Sequence, residues 1–371
     1  MKLAFCLYKY FPFGGLQRDF LNIATHCSQR GHSIRVYALS WQGEVPDFIE
    51  LRLVPIKALQ HHVLYRRFHR WIQDDLKKNP VDKVIGFNKM PGLDLYYAAD
   101  PCFIAQFKQP LSWYQRLNPR FQQFYRDEAA VFHANTNTHI LALSEAQQRE
   151  FQRYYHTPTS GFSILPPGVS RDRMRPENAA TINHDLRREF SIPNEDILLL
   201  MIGSGFKTKG VDRSIAAMAS LPPNILKHCH LIVIGQDKAQ PFLRLSRSFK
   251  ISDRIHILPG RKDISRFLFA ADLLLHPAYR ENAGIILLEA LVAGLPVLVS
   301  DVCGYAPYIQ EAGCGALIHS PFSQKDFNAL LLHAIQDKSQ RQRWQTAALS
   351  YAKSADFFNL TECAVAVIER N

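Results

Sequence analysis

At 371 residues, with 47% hydrophobic and 21% charged positions, the chain exceeds what one core serves and is expected to form two domains. No apolar run reaches the about 18 residues needed to cross a bilayer as a helix, which excludes an integral helical membrane protein. A net charge of +11 calls for a polyanionic partner, and charge alone does not choose among nucleic acid, an anionic bilayer and a phosphorylated substrate.

Strand-like runs are expected at Leu3–Leu7, Ser33–Ala38, Lys83–Gly86, His139–Leu143, Leu198–Ile202, His230–Ile234, Arg254–Ile257, Leu273–His276 and Pro296–Ser300, with helix-compatible segments between them. That alternation predicts an α/β protein of two doubly wound parallel sheets, with ligands beyond the carboxyl ends of the strands. The start, Met1-Lys-Leu-Ala-Phe-Cys-Leu-Tyr, carries no cleavage-site pattern and reads as a buried first strand. After it, Pro12-Phe-Gly14-Gly15 leads into a helix marked by Leu16, Phe20, Ile23 and Ala24. Gly14 and Gly15 suit either a tight turn or close approach of backbone to an anion at a helix N-terminus. The spacing is not the GxGxxG of dinucleotide enzymes, which argues against an oxidoreductase. Asp19 reads most simply as a first-turn carboxylate facing the helix dipole.

Between Phe103 and Arg126 there is no acidic residue, while Lys108, Arg116, Arg120 and Arg126 alternate with Phe103, Phe107, Trp113, Tyr114, Phe121, Phe124 and Tyr125. Over residues 103–132 this pattern fits a segment adsorbing to anionic lipid, or a pair of helices packed by their aromatics, interrupted at Pro110 and Pro119. The proline-, glycine- and charge-dense Leu165–Pro176 is the expected linker, giving domains at 1–166 and 167–352. The helical tail at about 353–371 is expected to return to the first domain.

The second domain opens with strand Leu198–Ile202, the loop Gly203-Ser-Gly205-Phe-Lys207-Thr-Lys209-Gly210 and a helix over Asp212–Ser220. Lysines between glycines at a strand end suit a diphosphate and the charge that grows as it leaves. Arg173 and Arg261, taken alone, read as surface charge. Further on, Glu281-Asn-Ala-Gly-Ile-Ile-Leu-Leu-Glu289 follows the strand Leu273–His276. The amides of Ala283, Gly284 and Ile285 would be unpaired donors of a helix's first turn, with Glu281 before them and Glu289 about two turns on. His276, ending a buried strand before Pro277, reads as structural. His61 and His62 lack partners at metal-ligand spacing, there is no DxD pattern, and no metal is expected. The seven cysteines are odd in number and form no CxxC pair, which fits a reducing cytoplasm.

The pattern of a strand, His276-Pro-Ala-Tyr, Glu281-x7-Glu289 and Ala-Leu-Val-Ala-Gly-Leu-Pro-Val resembles the signature of retaining GT-B glycosyltransferases. The stretches Leu7-Tyr-Lys-Tyr-Phe-Pro-Phe-Gly-Gly-Leu-Gln-Arg-Asp-Phe, Gly86-Phe-Asn-Lys-Met-Pro-Gly-Leu-Asp, Lys209-Gly-Val-Asp-Arg-Ser-Ile and Asp272-Leu-Leu-Leu-His-Pro-Ala-Tyr extend it. Across nearly the whole chain the sequence resembles the lipopolysaccharide core glucosyltransferase I family of Gram-negative bacteria. That resemblance implies a GT-B fold of two Rossmann-like domains facing a cleft. It also implies retaining transfer of an α-glucosyl group from UDP-glucose to a heptose of the lipid A–core acceptor, without cofactor or metal.

The same resemblance implies a peripheral enzyme on the anionic cytoplasmic face of the inner membrane, with no nucleic-acid partner. Carried over by position, Gly15 would meet the diphosphate, Asp19 would lie near the acceptor or donor sugar, and Asp100 would face the transferred sugar. Arg173 and Lys209 would hold the diphosphate and Arg261 would approach the uracil. Glu281 with Ala283, Gly284 and Ile285 would hold glucose and phosphate, and Glu289 the ribose. Ser204 stands where many relatives have arginine, which shifts the burden onto Lys209, Lys207 or Arg173. A same-fold sugar-nucleotide epimerase and, further off, a nucleic-acid-binding protein are the competing readings.

Overall fold

The computed structural model describes residues 1–12, 14–107 and 111–371, with Gln115 and Arg116 described by backbone only. It divides into two compact units: Met1–Pro166 together with Asn359–Asn371, and Pro167–Phe358.

In the first unit, aliphatic and aromatic runs build a seven-stranded sheet in which every neighbour pair is parallel. Its order is Ile49–Leu53, Ser33–Ala38, Lys2–Cys6, Lys83–Gly86, Leu95–Ala98, His139–Ala142 and Phe162–Ile164, or 3-2-1-4-5-6-7 counted along the chain. The helix Gly15–Gln29 buries Phe20, Ile23, Ala24 and Cys27 at helical spacing; Gln17 is buried too, its amide donating to the Lys9 carbonyl at 3.0 Å. The last helix, Leu360–Arg370, buries Leu360, Ala364, Val365 and Ile368. It is tied to this unit by Arg30 to Glu369 (2.6 Å), His32 to Glu369 (2.9 Å) and Lys83 to the Ile368 carbonyl (2.6 Å). The return begins at Asn359 rather than near 353, because the helix Lys338–Ser354 and the buried Phe357 still belong to the second unit's core.

The second unit holds a six-stranded sheet, again wholly parallel. Its order is Ile255–Leu258, Cys229–Ile234, Ile197–Ile202, Leu273–His276, Val297–Ser300 and Gly315–Ile318, or 3-2-1-4-5-6. Strands covered on both faces need no polar alternation, and Cys229–Ile234, Leu273–His276 and Val297–Ser300 are buried at every position. In each sheet the order reverses between strands 1 and 4, the topological switch point at which such sheets bind ligands. In the second unit those strands are Ile197–Ile202 and Leu273–His276, so both motif loops leave the sheet side by side.

Candidate active site

The loop after Ile202 is more ordered than a flexible glycine turn. Gly203, Gly205 and Gly210 have φ of +136°, +77° and +80°, and between the last two Phe206–Lys209 forms one helical turn. A Cβ on Gly210 would stand 2.1 Å from the Pro277 carbonyl oxygen, so only glycine allows the two loops to touch. Tyr279 N donates to the Thr208 carbonyl at 2.8 Å and fastens the contact. Arg213 reinforces it, sandwiched between the rings of Tyr279 and Phe322 at 3.5 and 3.6 Å while donating to the carbonyls of Pro277 and Ala278.

This packing places Lys209 against Glu281. The lysine chain lies over Gly203, and its ammonium forms an ion pair with Glu281 Oε2. His276 Nε2 reaches the same oxygen at 3.1 Å. Burial, and secondarily the Lys209 charge, pulls the His276 pKa down to about 3, so the ring is neutral near pH 7. A carboxylate only accepts, so Nε2 carries the hydrogen in that contact. Burial also draws the Lys209 ammonium down to about 8, and the adjacent carboxylate opposes that pull. The outcome is a carboxylate aimed by two donors from two strand ends.

Gly284, with φ of +86°, caps the helix Ile285–Val292, and a Cβ there would press on the Glu281 side chain at 3.1 Å. The backbone amides of Ala283, Gly284 and Ile285 therefore open the helix next to Glu281, where the helix dipole favours an anion. Glu289 lies in the same helix and is 4% exposed. Arg173 Nε is 3.8 Å from its Oε1, and Arg173 also donates to Ser265 Oγ at 2.7 Å. That Nε is buried and makes no hydrogen bond, leaving a donor to be satisfied.

Not every cation named from the sequence converges here. Lys207 points to Asp212 and, at 3.0 Å, to Tyr279 Oη, and so is diverted from Glu281. Arg261 is clamped by both oxygens of Asp263 at 2.8 Å each, holding that carboxyl down at about 2.

In the first unit, Gly14 caps the helix Gly15–Gln29 with ordinary extended backbone, and the space beside Gly15 is open. Asp19 sits one turn inside the helix rather than in its first turn, and accepts from Tyr97 Oη at 2.8 Å. The dipole reading therefore fails, since a first-turn position was its premise. Asp100 follows the strand Leu95–Ala98, where burial raises its pKa while Lys89 and Asn88 oppose the rise.

His276 is the functional side chain that sequence reasoning passed over. A histidine closing a fully buried strand looks structural, yet this one touches the central carboxylate. The available signal was its place at the carboxyl end of a strand, five residues before Glu281.

Comparison with known proteins agrees with this geometry. The family described as Glycosyl transferases group 1 matches residues 183–350, and Glycosyltransferase Family 4 matches residues 13–173. The lipopolysaccharide glucosyltransferase WaaG of Escherichia coli K12 is 45% identical over 368 residues, covering 99% of this chain and 98% of that protein. The crystal structure of WaaG, a glycosyltransferase involved in lipopolysaccharide biosynthesis, superposes with a TM-score of 0.96 at 44% identity, with 100% of each chain covered. HepE of Anabaena, solved with UDP and glucose, shares the fold with a TM-score of 0.76 at 16% identity, again covering 100% of both chains. The protein is a transferase of the GT-B fold, and the chain belongs to the lipopolysaccharide glucosyltransferase family of group 1 glycosyltransferases.

Proposed function

We propose that the enzyme moves a glucosyl group from UDP-glucose, with retention, to a heptose of the lipopolysaccharide inner core. The observation that carries this reading is the Lys209–Glu281–His276 cluster beside the amides of Ala283, Gly284 and Ile285 at the second unit's switch point. A sugar nucleotide presents hydroxyls and a diphosphate, and this cluster offers an oriented acceptor for the first and a cation with a helix start for the second. Glu281 and those amides hold the glucose and its phosphate, Lys209 and Arg173 neutralise the diphosphate, and Glu289 anchors the ribose. Arg261 flanks the nucleoside side. In the first unit, Gly15 offers backbone to the diphosphate, and Asp19 and Asp100 serve the sugars.

In the transfer, the bond from the glucose anomeric carbon to the β-phosphate oxygen breaks. The new bond from that carbon to the acceptor oxygen forms on the same face, and the acceptor's proton passes to the departing phosphate. Lys209 stabilises the charge that accumulates there. Neither Glu281 nor neutral His276 has to change protonation. The chain's own cations supply the neutralising charge, so we assign no metal or cofactor.

The name of HepE's complex and the family of WaaG support UDP-glucose as donor, and the basic charge of the chain supports an anionic acceptor. Transfer assays with purified truncated core acceptor against UDP-glucose, UDP-galactose and ADP-glucose, with the product anomer read by NMR, test the proposal. Faster turnover with another donor, or a β-linked product, overturns it.

We further propose that the enzyme works at an anionic membrane surface on the cytoplasmic side, through residues 103–132. Here the structure combines both patterns seen in the sequence. Phe103, Phe107, Phe121 and Phe124 pack as a ring cluster, while Trp113, Tyr114 and Leu117 are 74%, 62% and 65% exposed. Asn118 caps the helix Pro119–Phe132, which carries Arg120 and Arg126; Lys108 lies outside the described residues. No helix among the described residues is long and apolar enough to cross a membrane. Sedimentation with anionic vesicles tests this: Arg120→Glu with Arg126→Glu should reduce binding, and unchanged binding rejects it.

A further inference from the structure

A cavity of about 620 Å³ opens in the first unit, within the range of small-molecule sites, and none of the residues assigned to the reaction lines it. Its wall is apolar: Ile104, Leu111, Phe121, Tyr125 and Tyr154. One cation, Arg126, stands on the same wall, and among the described residues it makes no hydrogen bond or ion pair. The wall is firmly built on one side. Ile104 N donates to Glu128, a fully buried carboxylate that also accepts from Phe103 N at 2.6 Å and Tyr155 Oη at 2.6 Å. Phe121 is held between Phe103 and Phe107 at 5.4 and 4.9 Å.

An apolar chamber with a single unpaired guanidinium matches an amphiphile whose head is anionic and whose tail is hydrocarbon. A sugar nucleotide, rich in hydroxyls, would leave the apolar wall unsatisfied. The chain between two lining residues, Leu111 and Phe121, carries the exposed Trp113, Tyr114 and Leu117, side chains suited to the lipid headgroup region. We propose that this cavity is a lipid site that takes one acyl chain of an anionic phospholipid, with Arg126 paired to its phosphate.

The inference rests on the membrane-docking reading of residues 103–132 and deepens it from adsorption to a site of defined stoichiometry. It predicts saturable binding of a monomeric lipid in the absence of any bilayer. Full-length protein titrated calorimetrically with dihexanoylphosphatidylglycerol below its micelle concentration should bind one equivalent, and glycerol phosphate should bind at least tenfold more weakly. Arg126→Gln should weaken the lipid about tenfold, the scale of one charge-assisted hydrogen bond. Leu111→Trp, which fills the chamber, should abolish binding while leaving glucosyl transfer to a soluble acceptor unchanged.

A phosphatidylglycerol carrying a brominated chain should quench Trp113 fluorescence in the unaltered protein at one equivalent, so the test does not depend on a variant folding. Equal affinity for glycerol phosphate, non-saturable binding, or absence of quenching overturns the site. Vesicle sedimentation of the same proteins separates the two readings. Vesicle binding without monomer binding removes the cavity site and leaves docking intact, whereas loss of both removes both. If truncated core acceptor displaces the bound lipid stoichiometrically, the cavity belongs to the acceptor's lipid and the phospholipid assignment falls.

Discussion

The two sheets share the order 3-2-1-4-5-6 at their switch points, yet the turns that leave them there are built differently. In the second unit the turn is tightly packed: Gly203, Gly205 and Gly210 hold positive φ, and Gly210 lies against the carbonyl of the neighbouring loop. Its charged groups are already paired, Lys209 with Glu281 and Arg173 near Glu289. In the first unit the corresponding turn, Gly14–Gly15, has ordinary backbone, open space beside Gly15 and a carboxylate held by a tyrosine. One switch point is preorganised for a charged ligand by backbone and ion pairs, while the other leaves room. Preorganisation of that kind stabilises charge without reorganisation during the reaction.

The contrast can be broken most decisively at the glycines. Gly210→Ala should cost roughly 3 kcal/mol or more in thermal unfolding, through a backbone clash and a disfavoured φ. Gly15→Ala should change stability by at most about 1 kcal/mol. Equal losses would show that the two turns are not differently constrained. At the level of chemistry, Lys209→Ala and Glu281→Ala should each lower kcat by about a hundredfold or more in steady-state transfer. Asp19→Asn should act on sugar transfer without weakening UDP binding measured by calorimetry.

The pH profile sharpens the same point. Because burial lowers the free-enzyme pKa of Lys209 to about 8, its charged form is lost as pH rises through that value. The kcat/KM for the donor, which reports the free enzyme, should therefore decline above about pH 8. The limb should move to higher pH in kcat, where bound diphosphate favours the ammonium, and Lys209→Arg should remove it. A flat profile to pH 9.5 would take the lysine out of the donor site.

Smaller effects should follow at the nucleoside end. Glu289→Ala should raise the donor KM about tenfold with kcat largely kept, as expected for binding lost equally in ground and transition states. Arg261→Ala should change the donor KM by less than about threefold, since its guanidinium is already committed to Asp263. A larger change would mean that the ligand draws Arg261 away from that clamp.

Much of the fold was legible because buried parallel strands read as unbroken apolar runs. Leu273–His276 was located to the residue, whereas Val297–Ser300 and Cys229–Ile234 were shifted by one. The strands that were missed lack that signature. Ile49–Leu53 is an edge strand with charged Glu50 and Arg52, Phe162–Ile164 spans three residues, and Gly315–Ile318 begins with glycine. Leu95–Ala98 is central and buried at every position, but it follows Pro91-Gly92-Leu93-Asp94, which reads as a loop.

Within the candidate site, the sequence by itself determined residue types and local geometry: Gly284 before a helix, Glu281 and Glu289 at its two ends of reach, and Lys209 after a strand. These follow from spacing along one element. Which groups meet was decided only by tertiary structure, because strands 1 and 4 are adjacent in the sheet but 70 residues apart in the chain. That adjacency brought His276 and Lys209 to one oxygen of Glu281 and Arg173 to Glu289, and it turned Lys207 toward Asp212. Charge and spacing cannot distinguish Lys207 from Lys209, two residues apart in one loop. A single helical turn, closed by a glycine packed on the neighbouring backbone, sends one lysine to the carboxylate and the other away from it.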